Sequence, residues 1–433
     1  MRDTLMAALL VLALTSTGLA DLAKDVKVEV SRLNADSLSE RSEAEQTLVK
    51  LGPEALEFLP EVTDRTPPEV AQRLARVRQA LEQAQVNEAG KASLVTLIGE
   101  DLPLSDVIAR IAQQTGNKIV DYRDQFGEEV SDPRLKLNLD KVEFWKALDE
   151  VLDKAELTTY DFAGERGIYL VTRPPGQLPR HDQACYVGPF RLEATRFEAL
   201  RELRTPEARS LRLFVAVAWE PRLMPVAIRQ PLDEITAVGT GDAVIEVSGA
   251  EGAPEASVSD DTSSADLQIP LELPPRSVEK IASLKGKLHV MAPGPMQTFR
   301  FDQLPIVGEG PKANAKVPRV EQRKAGVTVV IDQVRKNNEI WEVRTRVRFD
   351  KPGDALESHR SWILRNELYL VGADKKRIEP GGYEQTRQTE NEVGIAYLFE
   401  LPNGPKGMSF VYQTPTTIFD LPIEYELNDL ELP

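Results

Sequence analysis

The stretch "RLKLNLD" (134–140) alternates strictly, with Leu135, Leu137 and Leu139 on one side and Lys136 and Asn138 on the other. A period of two is the pattern of a half-buried strand. Upstream the spacing is helical: "LPLSDVIARIAQQTG" puts Val107, Ile108, Ile111 and Ala112 on one face. It stops at Gly116, a residue suited to the left-handed turn that ends a helix. "SLVTLIG" before this helix and "KIVDY" after it are short and rich in β-branched residues, and read as strands. A second helix follows the alternating strand, with Phe144, Leu148, Val151 and Leu152 on one face, and "LTTYDF" and "GIYLVT" then form a hairpin around Ala163–Arg166. Residues 91–173 are thus predicted as a β-α-β-β-α-β-β module, two amphipathic helices covering one face of a small sheet.

The flanks read differently. Residues 37–86 predict three short helices. The first ends at Gly52. The second takes Pro53 into its first turn and buries Leu56 and Leu59. The third, from "PPEV", carries Val70, Leu74, Val77 and Leu81 at helical spacing. Beyond the module, "RPPGQLPRHDQ" reads as a Pro-rich linker. Residues 184–308 are β-rich: "SLRLFVAVAWEP" places Leu211, Leu213, Val215 and Val217 on one face, and "DAVIEVS", "DLQIPLELP", "GKLHVM" and "QTFRFDQL" are further strands. The acidic stretch 249–266 between them reads as a long mobile loop. Gly308–Lys316 marks a second boundary, after which about seven strands follow, with hairpin turns near Lys336–Asn338 and at Gly372–Lys375. The predicted fold class is multidomain, α+β and all-β. In order it has a leader at 1–20, a helical segment 21–90, the module 91–173, a linker 174–183, a β-rich domain 184–308 and a β-sandwich 309–433 that is immunoglobulin-like in architecture.

Two resemblances attach to these patterns. The blocks "LPLSDVIARIAQQTGNKIV", "KLNLDKVEFWKALDEVLDKAELTTYDF" and "GIYLV" resemble the short N-terminal domain shared by secretins and TonB-dependent receptors. That resemblance implies a docking domain of the bacterial periplasm without catalytic residues. It covers under a fifth of the chain. A polar insert, Arg123–Pro133, departs from the pattern, and no secretin ring domain or receptor barrel follows. Residues 37–86 resemble a single HEAT-type repeat, and a helical hairpin packed on its neighbour is the plainer reading.

Charge and composition narrow the function. The net charge is −16, which disfavours broad binding to nucleic acid or anionic membranes, because phosphate affinity comes from Lys and Arg. Arg2, the apolar run Leu5–Leu14 and the small residues Gly18 and Ala20 predict a secretory signal cleaved after Ala20. No later stretch has transmembrane length. The expected location is the periplasm or the cell surface. Cys185 is the single cysteine, so no intramolecular disulfide forms, and it is expected to be a buried strand residue.

The familiar catalytic constellations are missing from the sequence, and no cofactor or metal is predicted. His181, His289 and His359 form no paired metal spacing, and there is no G-x-S-x-G elbow or Walker loop. "GTGDAV" (239–244) reads as a turn. His181 and Cys185 would pair as base and nucleophile only on a helix, and their surroundings are β-like. His359, flanked by Glu357, Arg360 and Trp362, is the candidate centre if the protein is an envelope hydrolase. In "EVRTRVRFD", Arg344, Arg346 and Arg348 share a face opposite Val343, Val347 and Phe349. The stripe reads either as a surface for an anionic glycan or as a solvated face paired to acids, with Glu424 and Glu426 suitably alternating. Glu384, Arg387, Glu390, Asn391 and Glu392 read as a polar connection or as a binding loop at the sandwich edge. The functional expectation is a non-enzymatic exported protein that docks an envelope protein through residues 92–173. The alternatives are an accessory part of a secretin or TonB-type transport system, an envelope hydrolase and a glycan-binding surface protein.

Overall fold

A computed structural model describes residues 21–433, apart from 64, 182, 206, 208, 250, 257, 260, 308–317 and 358. The expected signal segment and the Gly308–Lys316 boundary lie outside the described residues. The protein is mixed α+β and mostly β, and no helix among the described residues is long and apolar enough to cross a membrane.

Five helices are described: α1 (21–32), α2 (Leu38–Lys50), α3 (Pro68–Ala89), α4 (Leu104–Thr115) and α5 (Phe144–Lys154). The segment expected to form a second short helix after Gly52 is a 3-10 turn, Pro53–Phe58. It still buries Leu56, and Leu59 follows it into the same core as Val70, Leu74, Val77 and Leu81 of α3. Gly52 has φ +90°, a conformation that lets the chain leave α2 sharply.

The module has the predicted order: β1 (Leu94–Pro103), α4, β2 (Ile119–Asp121), β3 (Arg134–Glu143), α5, β4 (Leu157–Tyr160) and β5 (Ile168–Thr172). Gly116 adopts φ +70°, and its N–H donates to Ala112 O, closing α4 as its position implies. The single sheet expected here is two sheets. β1 and β3 pair antiparallel, with Leu97 opposite Leu139 and Leu102 opposite Leu135. β2 pairs parallel and β4 antiparallel with β5. Both sheets and both helices feed one core around Leu97, Ile111, Leu137, Phe144, Leu148 and Leu170. Short strands with too few backbone partners of their own are held by this shared burial, at roughly 1.5–3 kcal/mol per enclosed aliphatic or aromatic side chain.

The chain divides into two compact units that are not consecutive in sequence. One comprises residues 88–292 and 420–433, the other residues up to 87 together with 293–419. In the first, the module is joined by an antiparallel sheet ordered 264–271, 209–219, 190–201 and 185–187. A second sheet there is centred on Lys280–Pro293, which also pairs with the last strand, Ile418–Glu431. The stretch expected to be one loop, 249–266, contains the short strand Glu255–Ala256 paired to Ala227–Arg229, and Ser264 already begins a strand. In the other unit, a four-stranded sheet (296–301, 409–415, 368–371, 377–378) and a five-stranded sheet (320–324, 327–337, 340–349, 392–399, 382–388) share one core around Phe299, Val329, Val343, Tyr397 and Phe410. Strand 296–301, expected in the preceding domain, belongs to this sandwich through its pairing with Ser409–Pro415.

Two buried carboxylates fix the module on its neighbouring sheet. Glu220 has no exposed surface. It accepts hydrogen bonds from Ser93 N (2.8 Å), Ser93 Oγ (2.5 Å), Asn117 Nδ2 (2.9 Å) and Arg222 Nε (2.8 Å). Asp149 of α5, 1% exposed, accepts from Arg191 Nη1 (2.7 Å) and Tyr186 Oη (2.8 Å). The Arg191 guanidinium also lies 4.4 Å from the ring centre of Trp145, whose indole N–H donates to Pro189 O. The segment read as a linker is strapped down as well. Asp153 accepts from Arg173, from Arg180 N and from His181 N, and Arg180 donates to Glu193 and Thr158.

Removing one partner of a buried, satisfied charge leaves the others uncompensated, at a cost of about 3–5 kcal/mol. Glu220→Ala and Asp149→Ala are therefore expected to lower the urea midpoint strongly and to abolish hydrogen-exchange protection at the Ser93 amide (Glu220→Ala) or along α5 (Asp149→Ala). Glu100→Ala, which breaks an exposed pair with Lys136, should cost under about 1 kcal/mol. Equal effects from the three variants would contradict the assignment.

Candidate functional site

The polar insert of the module is folded around one guanidinium. Arg123 is buried and donates from Nε to Asp121 Oδ1 (2.9 Å) and from Nη2 to Asp121 Oδ2 (2.6 Å) and Ser131 O (2.8 Å). These hydrogen bonds hold the Asp121 carboxyl below its ordinary pKa. Glu128 accepts from Thr172 N and Oγ1, and Asp132 from Ser105 N and Oγ, so the insert is stapled at both ends. Its first turn, Arg123–Phe126, is a 3-10 helix that carries Phe126 over the end of the three-stranded sheet.

Phe126 joins a cluster of rings there. Tyr122 is the hub. It stacks nearly parallel to Tyr160 at 6.2 Å and meets Phe126 (5.8 Å) and Tyr169 (5.2 Å) edge to face. Phe126 meets Tyr160 at 5.1 Å, and Tyr160 meets Phe162 at 5.9 Å, both edge to face. Such offset geometry is the favourable one for aromatic pairs. Tyr169 is buried, but Phe126 is 51% and Phe162 81% exposed, and Val130, farther along the insert, is exposed too. The phenyl ring of Phe162 has little to gain from water, so this face is unusual for a chain with only 6% aromatic residues. At its border Lys118 donates to Glu165 Oε2 (2.6 Å) while its ammonium lies 5.7 Å from the ring centre of Tyr169. The pairing with Glu165, reinforced by Tyr169, raises the pKa of Lys118.

The sequence-predicted residues lie elsewhere. Arg344, Arg346 and Arg348 do share the outer face of the five-stranded sheet, opposite Val343, Val347 and Phe349, which are buried. Arg344 and Arg346 are paired to acids, though not to Glu424 and Glu426. Arg346 donates to both oxygens of Asp332 (2.6 and 2.7 Å) and contacts Glu392 (3.3 Å). Arg344 and Arg335 both donate to Glu342 (3.1 and 2.7 Å), and Glu426 instead accepts from Ser283. Arg387 reaches the buried Glu392 at 3.3 Å, so the fold brings two of the predicted clusters together as one ladder of alternating charge. Arg344 and Arg346 are thus held by acids, whereas Arg348, exposed on the same face, is not part of the ladder. The segment read as a connection is an edge strand, Gly382–Gln388, in which Glu384 is exposed, and Glu390 and Asn391 sit in the hairpin turn after it. His359 is 55% exposed and lies 3.6 Å from Glu357.

Other chemistry is sparse. Among the described residues no group of three or more His, Cys, Asp or Glu side chains is placed to hold a metal. His181 and Cys185 are not on a helix: His181 contacts Glu150 at 3.9 Å, and Cys185 lies half-buried on a strand, where burial pushes its thiol pKa up. A cleft of about 720 Å³ between α3 and the sandwich is lined by Arg78, Glu82, Glu61, Arg323, Asp350 and Lys351, among others. Its central charges neutralise one another, Arg323 contacting Glu61 and Asp350 at 2.7 Å each.

The aromatic cluster is a candidate functional feature that the sequence analysis above does not contain. The available signal was a phenylalanine inside a polar insert, Phe126, and the Tyr160-x-Phe162 pair that runs past the end of a strand into a turn.

Glu342 gives a pH test of the ladder. Burial opposes its charge, but hydrogen bonds from Arg335, Asn337 and Arg344 prevail and lower its pKa to about 2. Because the folded value is depressed, this carboxylate stabilises the fold above its ordinary value of 4.5 and loses that contribution as pH falls toward 2. Glu342→Gln should cost roughly 2 kcal/mol at neutral pH, and the gap in melting temperature from the natural protein should narrow below pH 4.5. A gap independent of pH would count against the assignment.

No family model matches the chain, and no curated protein matches it.

Proposed function

We propose that the protein is a non-enzymatic docking component of the bacterial envelope, exported by its amino-terminal apolar segment. In this reading it engages a protein partner through the module 92–173, with the β regions as a rigid scaffold. The observation that carries the reading is the ring cluster at the end of the three-stranded sheet, where Phe126 and Phe162 present apolar surface that is 51% and 81% exposed among the described residues. Aromatic side chains of this kind supply much of the affinity at protein interfaces. The element order of the module, matching the pattern that resembles the secretin and TonB short N-terminal domain, supports the same reading. A narrower form is an accessory part of a secretin or TonB-type transport system.

Docking that depends on these rings makes a local prediction. The photo-crosslinking phenylalanine analogue p-benzoylphenylalanine at position 162, which keeps an aromatic ring there, should give one discrete protein adduct in the source cells, and Phe126→Ser in the same chain should remove it. The same probe at Ile98, 65% exposed on β1, should give none. Point variants suit this test better than deletion of the module, which would strip the partners from Glu220 and Arg191. No adduct from position 162, or equal adducts from both positions, would overturn the proposal.

A further inference from the structure

The rings sit among acids. Asp124 lies in the turn between Tyr122 and Phe126, Asp161 between Tyr160 and Phe162, and Glu129 farther along the insert. All three are exposed, and none takes an ion-pair partner among the described residues. The buried Arg123 is already committed to Asp121 and Ser131, so its charge does not offset them. The patch therefore combines electron-rich ring faces with exposed carboxylates that no ion pair holds among the described residues, though Arg191 lies near enough to feel the Asp161 charge, and these are the two groups that attract a cation together.

The molecule contains one worked instance of that chemistry at the border of the same cluster. The Lys118 ammonium lies over the Tyr169 ring while Glu165 accepts its hydrogen bond. From this we infer that the surface takes a partner segment bearing arginine or lysine next to apolar residues, the cation set over Tyr160 or Phe162 and the apolar neighbour against Phe126. The inference rests on the docking reading and names the chemistry of its partner. Apolar contact alone would leave the three carboxylates beside a dry interface without partners, which is costly, whereas a cationic segment satisfies them as it buries the rings.

The test uses the whole chain and two fluorescent peptides, acetyl-Leu-Arg-Leu-Arg-Leu-amide and its glutamate counterpart, read by anisotropy. The arginine peptide should bind at low salt and weaken as salt rises, and the glutamate peptide should bind at least about tenfold more weakly. Asp124→Asn, Glu129→Gln and Asp161→Asn combined should weaken the arginine peptide by roughly tenfold, and Phe162→Ser should do the same. All four substitutions are at exposed positions, and unchanged melting temperatures check that the fold is intact. Equal binding of the two peptides, or binding indifferent to the triple variant, would overturn the inference. So would preferential binding of a neutral cell-wall oligosaccharide, or dimerisation of the chain that Phe162→Ser abolishes. The crosslink from position 162 separates the two levels. An adduct that survives both the triple variant and high salt sinks the cationic partner and leaves docking standing, whereas loss of docking itself appears as no adduct from the probe at position 162 in the otherwise unaltered chain.

Discussion

A carboxylate with no exposed surface persists only where its lone pairs are met by donors, because the cost of removing the charge from water is several kcal/mol. Glu220 satisfies that condition by drawing on Ser93, Asn117 and Arg222, positions separated by up to 129 residues. Asp149 does the same from α5 toward Tyr186 and Arg191. Apolar packing tolerates small slips, but these bonds do not, since a shift of an ångström or two strands a buried charge. They fix the register of the module on the sheet that follows it. They also commit its α5 side and the entry to β1, while Phe126 and Phe162 of the ring cluster at the end of the three-stranded sheet remain exposed.

That cluster is positioned with similar economy. The insert between β2 and β3 has no regular structure beyond a single turn, yet one buried guanidinium, Arg123, and the acceptors Glu128 and Asp132 tie it to β2, β5 and the start of α4. A turn held this way keeps Phe126 against Tyr122 and Tyr160 instead of letting it collapse into the core. The contrast with the arginine stripe of the sandwich is physical. There, Asp332, Glu342 and Glu392 stand within reach of the guanidinium groups of Arg344 and Arg346, and the charges cancel across neighbouring strands. At the ring cluster Asp124, Glu129 and Asp161 are exposed and take no ion-pair partner among the described residues.

The sequence by itself determined what depends on near neighbours. The helical stripes of α4 and α5, the alternation of β3, the stop at Gly116 and the hairpin turns at 336–338 and 372–375 follow from spacings of two to four residues and from local backbone preference. Only the tertiary structure decided which strands share a sheet. Strand 296–301 pairs with 409–415, and Gly382–Gln388, polar on both faces, is held as an edge strand by the backbone of Glu392–Phe399. A strand held by a neighbour's amides needs no apolar pattern of its own, so none was there to read. The same holds for charge and exposure. Whether an arginine is neutralised, a carboxylate buried or a phenylalanine left in solvent depends on residues tens to hundreds of positions away, and sequence spacing carries no distance of that kind.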